Sequence, residues 1–203
     1  MLPPLLLLTD RRAVAGGSRG LLETVRAAVR GGARAVVLRE KDLDRTERVR
    51  LARALQPVLA DAGGVLLGAS DPTLCPAGVH LAAGDPLPHW SERPPVVGRS
   101  CHDGAALRRA ATERCTYATL SPVFPTASKP GYGPPLGPAR LHSLLPAGLP
   151  VYALGGIRPP DVGACREAGV AGVVVMGAVM GAEDPTAAVA ALLRAWHAAE
   201  TAA

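Results

Sequence analysis

The chain has 203 residues, 48% hydrophobic and 19% charged, with a formal net charge of +5. That excludes a disordered polyelectrolyte and suits one α/β barrel better than two domains. Basic residues are strewn along helical stretches (Arg26, Arg30, Arg45, Arg48, Arg50, Arg53, Arg108, Arg109), and the few aromatics are not interleaved with them, which argues against a nucleic-acid surface.

The first ten residues lack a basic start, and the Leu5–Leu8 run stops at Thr9 and Asp10, so they read as a buried strand rather than a signal peptide or membrane span. Further short apolar runs follow at Ala35–Leu38, Val65–Leu67, Val79–Leu81, Val96–Val97, Tyr117–Leu120, Val151–Leu154 and Val173–Met176. Between most of them apolar residues recur at helical spacing, as in Leu21-Val25-Val29 and Leu51-Leu55-Leu59, and Val189-Leu192-Leu193 closes the chain. Strands without polar alternation suit burial on both faces, and the helices suit parallel crossovers. The pattern predicts a (β/α)8 TIM barrel over residues 1–203 as a single domain. An open doubly wound sheet is the runner-up, but no Gly-x-Gly-x-x-Gly follows the first strand. Gly68–Gly78, with Pro72 and Pro76, and the following link with Pro86, Pro88, Pro94 and Pro95, leave little room for helix, so the connections after strands 3 and 4 are expected to be short. The four cysteines (Cys75, Cys101, Cys115, Cys165) have no zinc spacing and read as reduced thiols of a cytoplasmic protein, with Cys101 buried rather than nucleophilic.

Barrel enzymes carry their chemistry at the C-terminal strand ends. Here those ends supply Thr9 and Asp10, Arg39-Glu40-Lys41, Ser70-Asp71, Asp85, Ser100-Cys101-His102, Ser121 with the loop Pro125–Gly131, Gly155-Gly156 and Gly177. Both lysines of the chain, Lys41 and Lys129, are among them, although arginine serves nearly everywhere else. Gly155-Gly156, a short helix after Pro159 and Met176-Gly177-Ala178 read as a phosphate site, with tight turns as the alternative. Arg39, Lys41 and Lys129 suit a second anion or a carboxylate. His102 is placed for proton transfer, whereas His80, alternating inside a strand, reads as a satisfied core histidine. Asp71 and Asp85 suit Mg²⁺ against substrate phosphates, or simply turns, since each precedes a proline.

Leu38-Arg39-Glu40-Lys41, Gly78-Val79-His80-Leu81, Gly98-Arg99-Ser100-Cys101-His102, Ser121-Pro122-Val123-Phe124-Pro125-Thr126 with Ser128-Lys129, and Ala153-Leu154-Gly155-Gly156-Ile157 resemble, in order and spacing, the thiamine phosphate synthase/TenI family. The resemblance implies a (β/α)8 barrel and one of two activities. In the synthase branch, hydroxymethylpyrimidine pyrophosphate loses pyrophosphate with Mg²⁺ and its carbocation-like carbon is captured by a thiazole phosphate nitrogen. By similarity, Arg39, Lys41, Ser100 and Lys129 would hold the pyrophosphate with Thr126 and Ser128 nearby. Asp71 and Asp85 would bind the metal, and Gly156 and Met176-Gly177 the thiazole phosphate. In the TenI branch, a thiazole carboxylate phosphate tautomer becomes aromatic without metal, and the position matching His102 moves the proton.

Val37, Ser70 and Ala82-Ala83-Gly84-Asp85 stand where the synthase pattern has Gln, Asn and Gly-Gln-Glu-Asp, and Gly-Arg-Ser-x-His is closer to TenI. These departures favour a TenI-like tautomerase with His102 as general acid/base, the phosphate at Gly155-Gly156 and Met176-Gly177, and the carboxylate near Lys129. The Mg²⁺-dependent synthase is the alternative, and a non-catalytic phosphate-binding barrel the third. The expected partner is a small phosphorylated heterocycle, with neither nucleic acid nor membrane and with a homo-oligomer open.

Overall fold

The structure, a computed structural model, describes residues 2–126 and 134–201. Eight parallel strands close in sequential order into a barrel: β1 (Leu5–Leu8), β2 (Ala35–Leu38), β3 (Val65–Ala69), β4 (Gly78–Leu81), β5 (Val96–Cys101), β6 (Tyr117–Leu120), β7 (Val151–Leu154) and β8 (Gly172–Val175). β8 returns to β1 with Val174 opposite Leu6, so no strand edge is left open. The helices are α1 (Gly17–Arg30), α2 (Arg45–Asp61), α3 (Gly104–Thr112), α4 (Gly137–Leu144), α5 (Val162–Glu167), α6 (Gly177–Met180) and α7 (Pro185–Thr201). Asp44 and Asp103 cap α2 and α3, accepting from the Glu47 and Ala106 amides at 2.8 and 2.7 Å. Among the described residues no helix is long and apolar enough to cross a membrane.

The apolar runs at Leu5–Leu8, Ala35–Leu38, Tyr117–Leu120 and Val151–Leu154 coincide with strands in both bounds. β5 does not: its run ends at Val97, but the strand continues to Cys101, so Ser100 and Cys101 lie on it and only His102 lies beyond. Buried Arg99 interrupts the apolar pattern there without ending the strand. No helix separates β3 from β4 or β4 from β5, as the prolines and short links imply.

Alternation divides the core in two. Leu5, Leu7, Val36, Leu38 and Val97 face the helices, while Leu6, Ala35, Val37, Leu67, Tyr117, Tyr152 and Val174 fill the barrel. Two tyrosines occupy so narrow a space because glycines face them. A Cβ on Gly98 would fall within the Tyr117 ring, and one on Gly172 would strike Tyr152 and the Pro4 carbonyl. The two rings meet edge to face with centroids 5.6 Å apart, and the Tyr152 hydroxyl donates to the Leu2 carbonyl at 2.9 Å.

On the side without helices a charge takes their place. Arg99 on β5 is 1% exposed. Its Nη1 donates to the Ala82 and Asp85 carbonyls at 3.0 and 2.9 Å, fastening the link after β4. Its Nε lies 2.6 Å from Glu113 Oε2, just past α3, at ion-pair distance but without hydrogen-bond alignment. Glu113 Oε1 accepts from Arg109 Nε at 2.8 Å. Removing one partner of such a pair strands the other charge. Glu113→Ala is therefore expected to cost about 3–5 kcal/mol in urea unfolding, far more than an exposed-pair deletion such as Glu23→Ala.

Inside the barrel, burial and the nearby Lys41 push His80 from its ordinary 6.5 down to about 4. Between these two values the unfolded chain binds a proton that the folded barrel refuses, so stability is full above the upper value and falls as pH drops toward the lower. The expected loss across that window is about 3 kcal/mol. Urea midpoints measured from neutral pH down to about pH 4 check this, and His80→Gln is expected to flatten that part of the profile.

Candidate active site

The strand ends form a polar rim fastened by buried carboxylates and hydroxyls. Glu40, 3% exposed, accepts from Thr9 Oγ1 at 2.7 Å and from the Arg11 amide at 3.1 and 3.2 Å, while Thr9 Oγ1 accepts from the Arg39 amide at 2.9 Å. This clamp joins the ends of β1 and β2 and holds the backbone between Arg39 and Lys41. Arg39 continues the inward phase of β2, and its exposed guanidinium reaches across to the Met176 sulfur on the β8 side at 3.8 Å.

Lys41 Nζ donates to Ser70 Oγ at 2.6 Å, and Ser70 Oγ donates to Asp85 Oδ2 at 2.5 Å. Asp85 Oδ2 also accepts from the Ala82 amide at 2.7 Å. This chain links the ends of β2, β3 and β4 across the thin side. Burial, Arg39 and Arg48 lower the Lys41 ammonium against the opposing pull of Asp85. Burial works to raise Asp85, but the Ser70 and Ala82 hydrogen bonds, with Lys41 and Arg99, hold its carboxyl below the usual range. Ser70 has φ +58°, a left-handed backbone that costs a non-glycine residue free energy and recurs at functional sites. Asn and Asp adopt that conformation most readily among side-chain-bearing residues; here a serine holds it.

Asp71 shows the turn chemistry that its sequence allows. Its Oδ1 accepts from the Thr73 amide and hydroxyl at 3.0 and 2.7 Å, and its Oδ2 lies 3.8 and 4.0 Å from Arg45 and Arg48. Burial would raise this carboxyl, and those hydrogen bonds and guanidinium groups outweigh it. Among the described residues no third acid, histidine or cysteine joins a metal-binding cluster.

At the floor of the mouth, His80 Nδ1 is 2.8 Å from the Tyr117 hydroxyl and Nε2 is 2.9 Å from Ser100 Oγ. His80 is thus the satisfied core histidine that alternation suggests. Ser100 is half-buried, and beside it in register Thr119 is fully buried with no hydrogen-bond partner for its hydroxyl among the described residues. His102 Nδ1 lies 2.9 Å from the Ser121 carbonyl. A carbonyl only accepts, so Nδ1 carries the proton in this contact. Cys101 is buried, its thiol pushed up to about 12 by that burial, and so is no nucleophile.

The phosphate elements separate. Gly155 and Gly156 have φ +106° and +68°; a Cβ on Gly156 would strike the Pro125 carbonyl and one on Gly155 would crowd Pro122, so backbone and loop packing already ask for glycine at both. The helix after Pro159 corrects the sequence reading: its first two residues are prolines without N–H, and Asp161 Oδ2 already accepts from the Arg158 amide at 2.9 Å. The exposed Gly177 and Ala178 begin α6, and their N–H groups have no partner within the helix. Thr126 is half-buried; Ser128 and Lys129 lie outside the described residues. Sequence reasoning missed the roles of Glu40, Arg99, Tyr117 and Thr119. Glu40 was visible inside Arg39-Glu40-Lys41, and the inward phase of β6 points to Thr119.

The protein family described as thiamine monophosphate synthase matches residues 5–179. A thiamine-phosphate synthase from Roseiflexus castenholzii is 38% identical over 196 residues, covering 92% of this chain and 85% of that one. Another from Methanoculleus marisnigri is 37% identical over 187 residues, covering 87% and 88%. Among solved structures, a thiamine phosphate pyrophosphorylase from Pyrococcus furiosus superposes with a TM-score of 0.84 at 25% identity, covering 96% of each chain.

Ser70 carries backbone strain in exchange for a hydroxyl shared by Lys41 and Asp85. Ser70→Gly relieves about 1 kcal/mol of that strain and removes the hydroxyl. Strain relief and the loss of both hydrogen bonds oppose one another, so Ser70→Gly is expected to melt higher than Ser70→Ala, which loses the same bonds and keeps the strain, as thermal unfolding of the two variants would show.

Proposed function

The chain belongs to the thiamine monophosphate synthase family, and we propose that within it the chain is a synthase, joining hydroxymethylpyrimidine pyrophosphate to thiazole phosphate. One observation carries this over the tautomerase reading. The Lys41–Ser70–Asp85 chain is intact although Ser stands at position 70, so a substitution that counts as a lost contact to the pyrimidine half still ties the lysine and the aspartate of the pyrophosphate side together. The relatives named as synthases support the same choice.

In this reading Arg39 and Lys41 receive the pyrophosphate, with Ser100, Thr126, Ser128 and Lys129 completing its contacts. Gly156, Met176 and Gly177 receive the thiazole phosphate at the β7 and β8 ends, with the Arg39 guanidinium between the two anions beside Met176. The pyrimidine methylene–oxygen bond breaks, pyrophosphate leaves with the electron pair, and the thiazole nitrogen donates its lone pair to form the new carbon–nitrogen bond. Fixed cations at Arg39 and Lys41 stabilise charge developing on the departing oxygen, and their geometry is set in advance by the Thr9–Glu40 clamp. The apolar lining of Val37, Leu8 and Ala69 below excludes water from the electron-poor carbon.

Asp85 would hold Mg²⁺ through Oδ1, since its hydrogen bonds from Ser70 and Ala82 both fall on Oδ2, and Asp71 would be the second carboxylate, an ion of this kind taking one or two carboxylates with water and substrate phosphate. Bound there, the ion would neutralise charge on the pyrophosphate. The tautomerase remains the second reading because His102 stands at the β5 end with its ring held through Nδ1 by the Ser121 carbonyl.

One assay separates the two. Purified protein given both substrates and Mg²⁺ is expected to form thiamine phosphate and pyrophosphate, to stop with chelator, and to lose about 10²-fold or more in rate on Arg39→Ala. Aromatisation of a thiazole carboxylate phosphate that is indifferent to chelator and lost on His102→Ala would replace the synthase reading with the tautomerase.

A further inference from the structure

We propose that Tyr117 and His80 are a positioning pair that fixes the direction of the Ser100 hydroxyl proton, making Ser100 a hydrogen-bond donor into the barrel mouth. The inference rests on the reading of Ser100 as a contact of the pyrophosphate group.

The argument starts at the bottom of the chain of contacts. The buried Tyr117 hydroxyl has one hydrogen-bond partner among the described residues, His80 Nδ1 at 2.8 Å. A phenol oxygen can leave a lone pair unused at small cost, but a buried O–H without an acceptor loses its full hydration with nothing in return. Tyr117 therefore donates. Burial keeps the phenol protonated, and it keeps the His80 ring neutral near pH 7. With Nδ1 accepting, the single ring proton sits on Nε2.

Nε2 lies 2.9 Å from Ser100 Oγ, so it donates there and occupies one lone pair of the serine. The serine's own proton is then left for another acceptor. Thr119, its neighbour in register, does not take it, because the Thr119 hydroxyl has no hydrogen-bond partner among the described residues. Ser100 is half-buried at the mouth, where an entering phosphate oxygen is the acceptor that completes the chain.

The reverse arrangement is worse at both ends. It would bury the phenol proton without an acceptor, and it would turn Ser100 into a donor to His80, presenting only lone pairs to an anion. The Tyr117 ring has little freedom to escape, since it packs on Gly98 with no space for a Cβ and meets Tyr152 edge to face.

The first test uses the unaltered, ligand-free protein with ¹⁵N-labelled histidine. Proton–nitrogen correlation spectra near neutral pH are expected to show His80 protonated at Nε2 and bare at Nδ1, the signals being assigned by their loss in His80→Gln. A ring protonated at Nδ1, or at both nitrogens, overturns the proposal whatever the protein's activity. Calorimetric titration with inorganic pyrophosphate and Mg²⁺ reads the consequence. Tyr117→Phe keeps the ring and removes only its donor, so it is expected to weaken binding about tenfold, Ser100→Ala by a similar factor, and the double variant no more than either alone. Multiplying losses in the double variant overturn the proposal. Failure of the unaltered protein to bind pyrophosphate would instead overturn the synthase reading, while the spectra still decide the His80 tautomer.

Discussion

The mouth of this barrel hangs on one buried guanidinium. A (β/α)8 barrel ordinarily fixes each strand end by the helix that follows it, but here the links after β3 and β4 have no helix. Arg99 supplies the missing anchorage through two carbonyls, Ala82 and Asp85, and is neutralised by Glu113. Asp85 then holds Ser70, and Ser70 holds Lys41. The ammonium on β2's end thus owes its place to a cation on the outer face of β5. Like charges at the two ends of that chain are tolerable because a carboxylate stands near each, Glu113 by Arg99 and Asp85 next to both.

Polar groups within the barrel follow the same rule at smaller scale. Tyr117, His80 and Ser100 form a satisfied column, and glycine on the facing strand makes room for the ring. The lowered His80 keeps the column uncharged, so it costs no ion desolvation and still fixes hydroxyl directions at the mouth. Thr119 breaks the rule, with a fully buried hydroxyl that has no partner among the described residues. A native barrel leaves such a group unpaired where a water or a ligand atom can complete it.

The architecture was legible because strands buried on both faces read as bare apolar runs, and because proline and short spacing forbid helices on the thin side. β5 was read short for a physical reason: its outward face carries a paired arginine, and its inward face a glycine and a serine, so hydrophobicity ends before the hydrogen bonding does. The rim was legible as a collection, with Arg39, Lys41, Ser70, Asp85, Ser100 and His102 at strand ends, but its wiring was not. Glu40, Tyr117 and Arg99 act through distance and direction, which residue type alone does not carry. Val37, Ser70, Ala82-Ala83-Gly84-Asp85 and the Gly-Arg-Ser-x-His segment point toward a tautomerase by residue type alone, and two of them look different in three dimensions. Val37 packs inside the barrel, and Ser70 retains the hydrogen bonds that matter at its position.

The glycines at the seventh and eighth strand ends show why residue type underdetermines a phosphate site. Gly155 and Gly156 are demanded by the fold, since each has a positive φ and a side chain on either would meet the Pro122–Pro125 segment, whose Val123 and Phe124 amides bond to Leu154 and Gly155. Their presence says nothing by itself about an anion. Gly177 is the opposite case. It opens a helix, where glycine is a poor choice, and a Cβ there would meet nothing within 4 Å. Packing does not ask for glycine at that point, and neither does backbone strain. What the absent side chain leaves is open space at the rim, next to Met176 and the Arg39 guanidinium that reaches it, which is the setting the proposed thiazole phosphate site asks for.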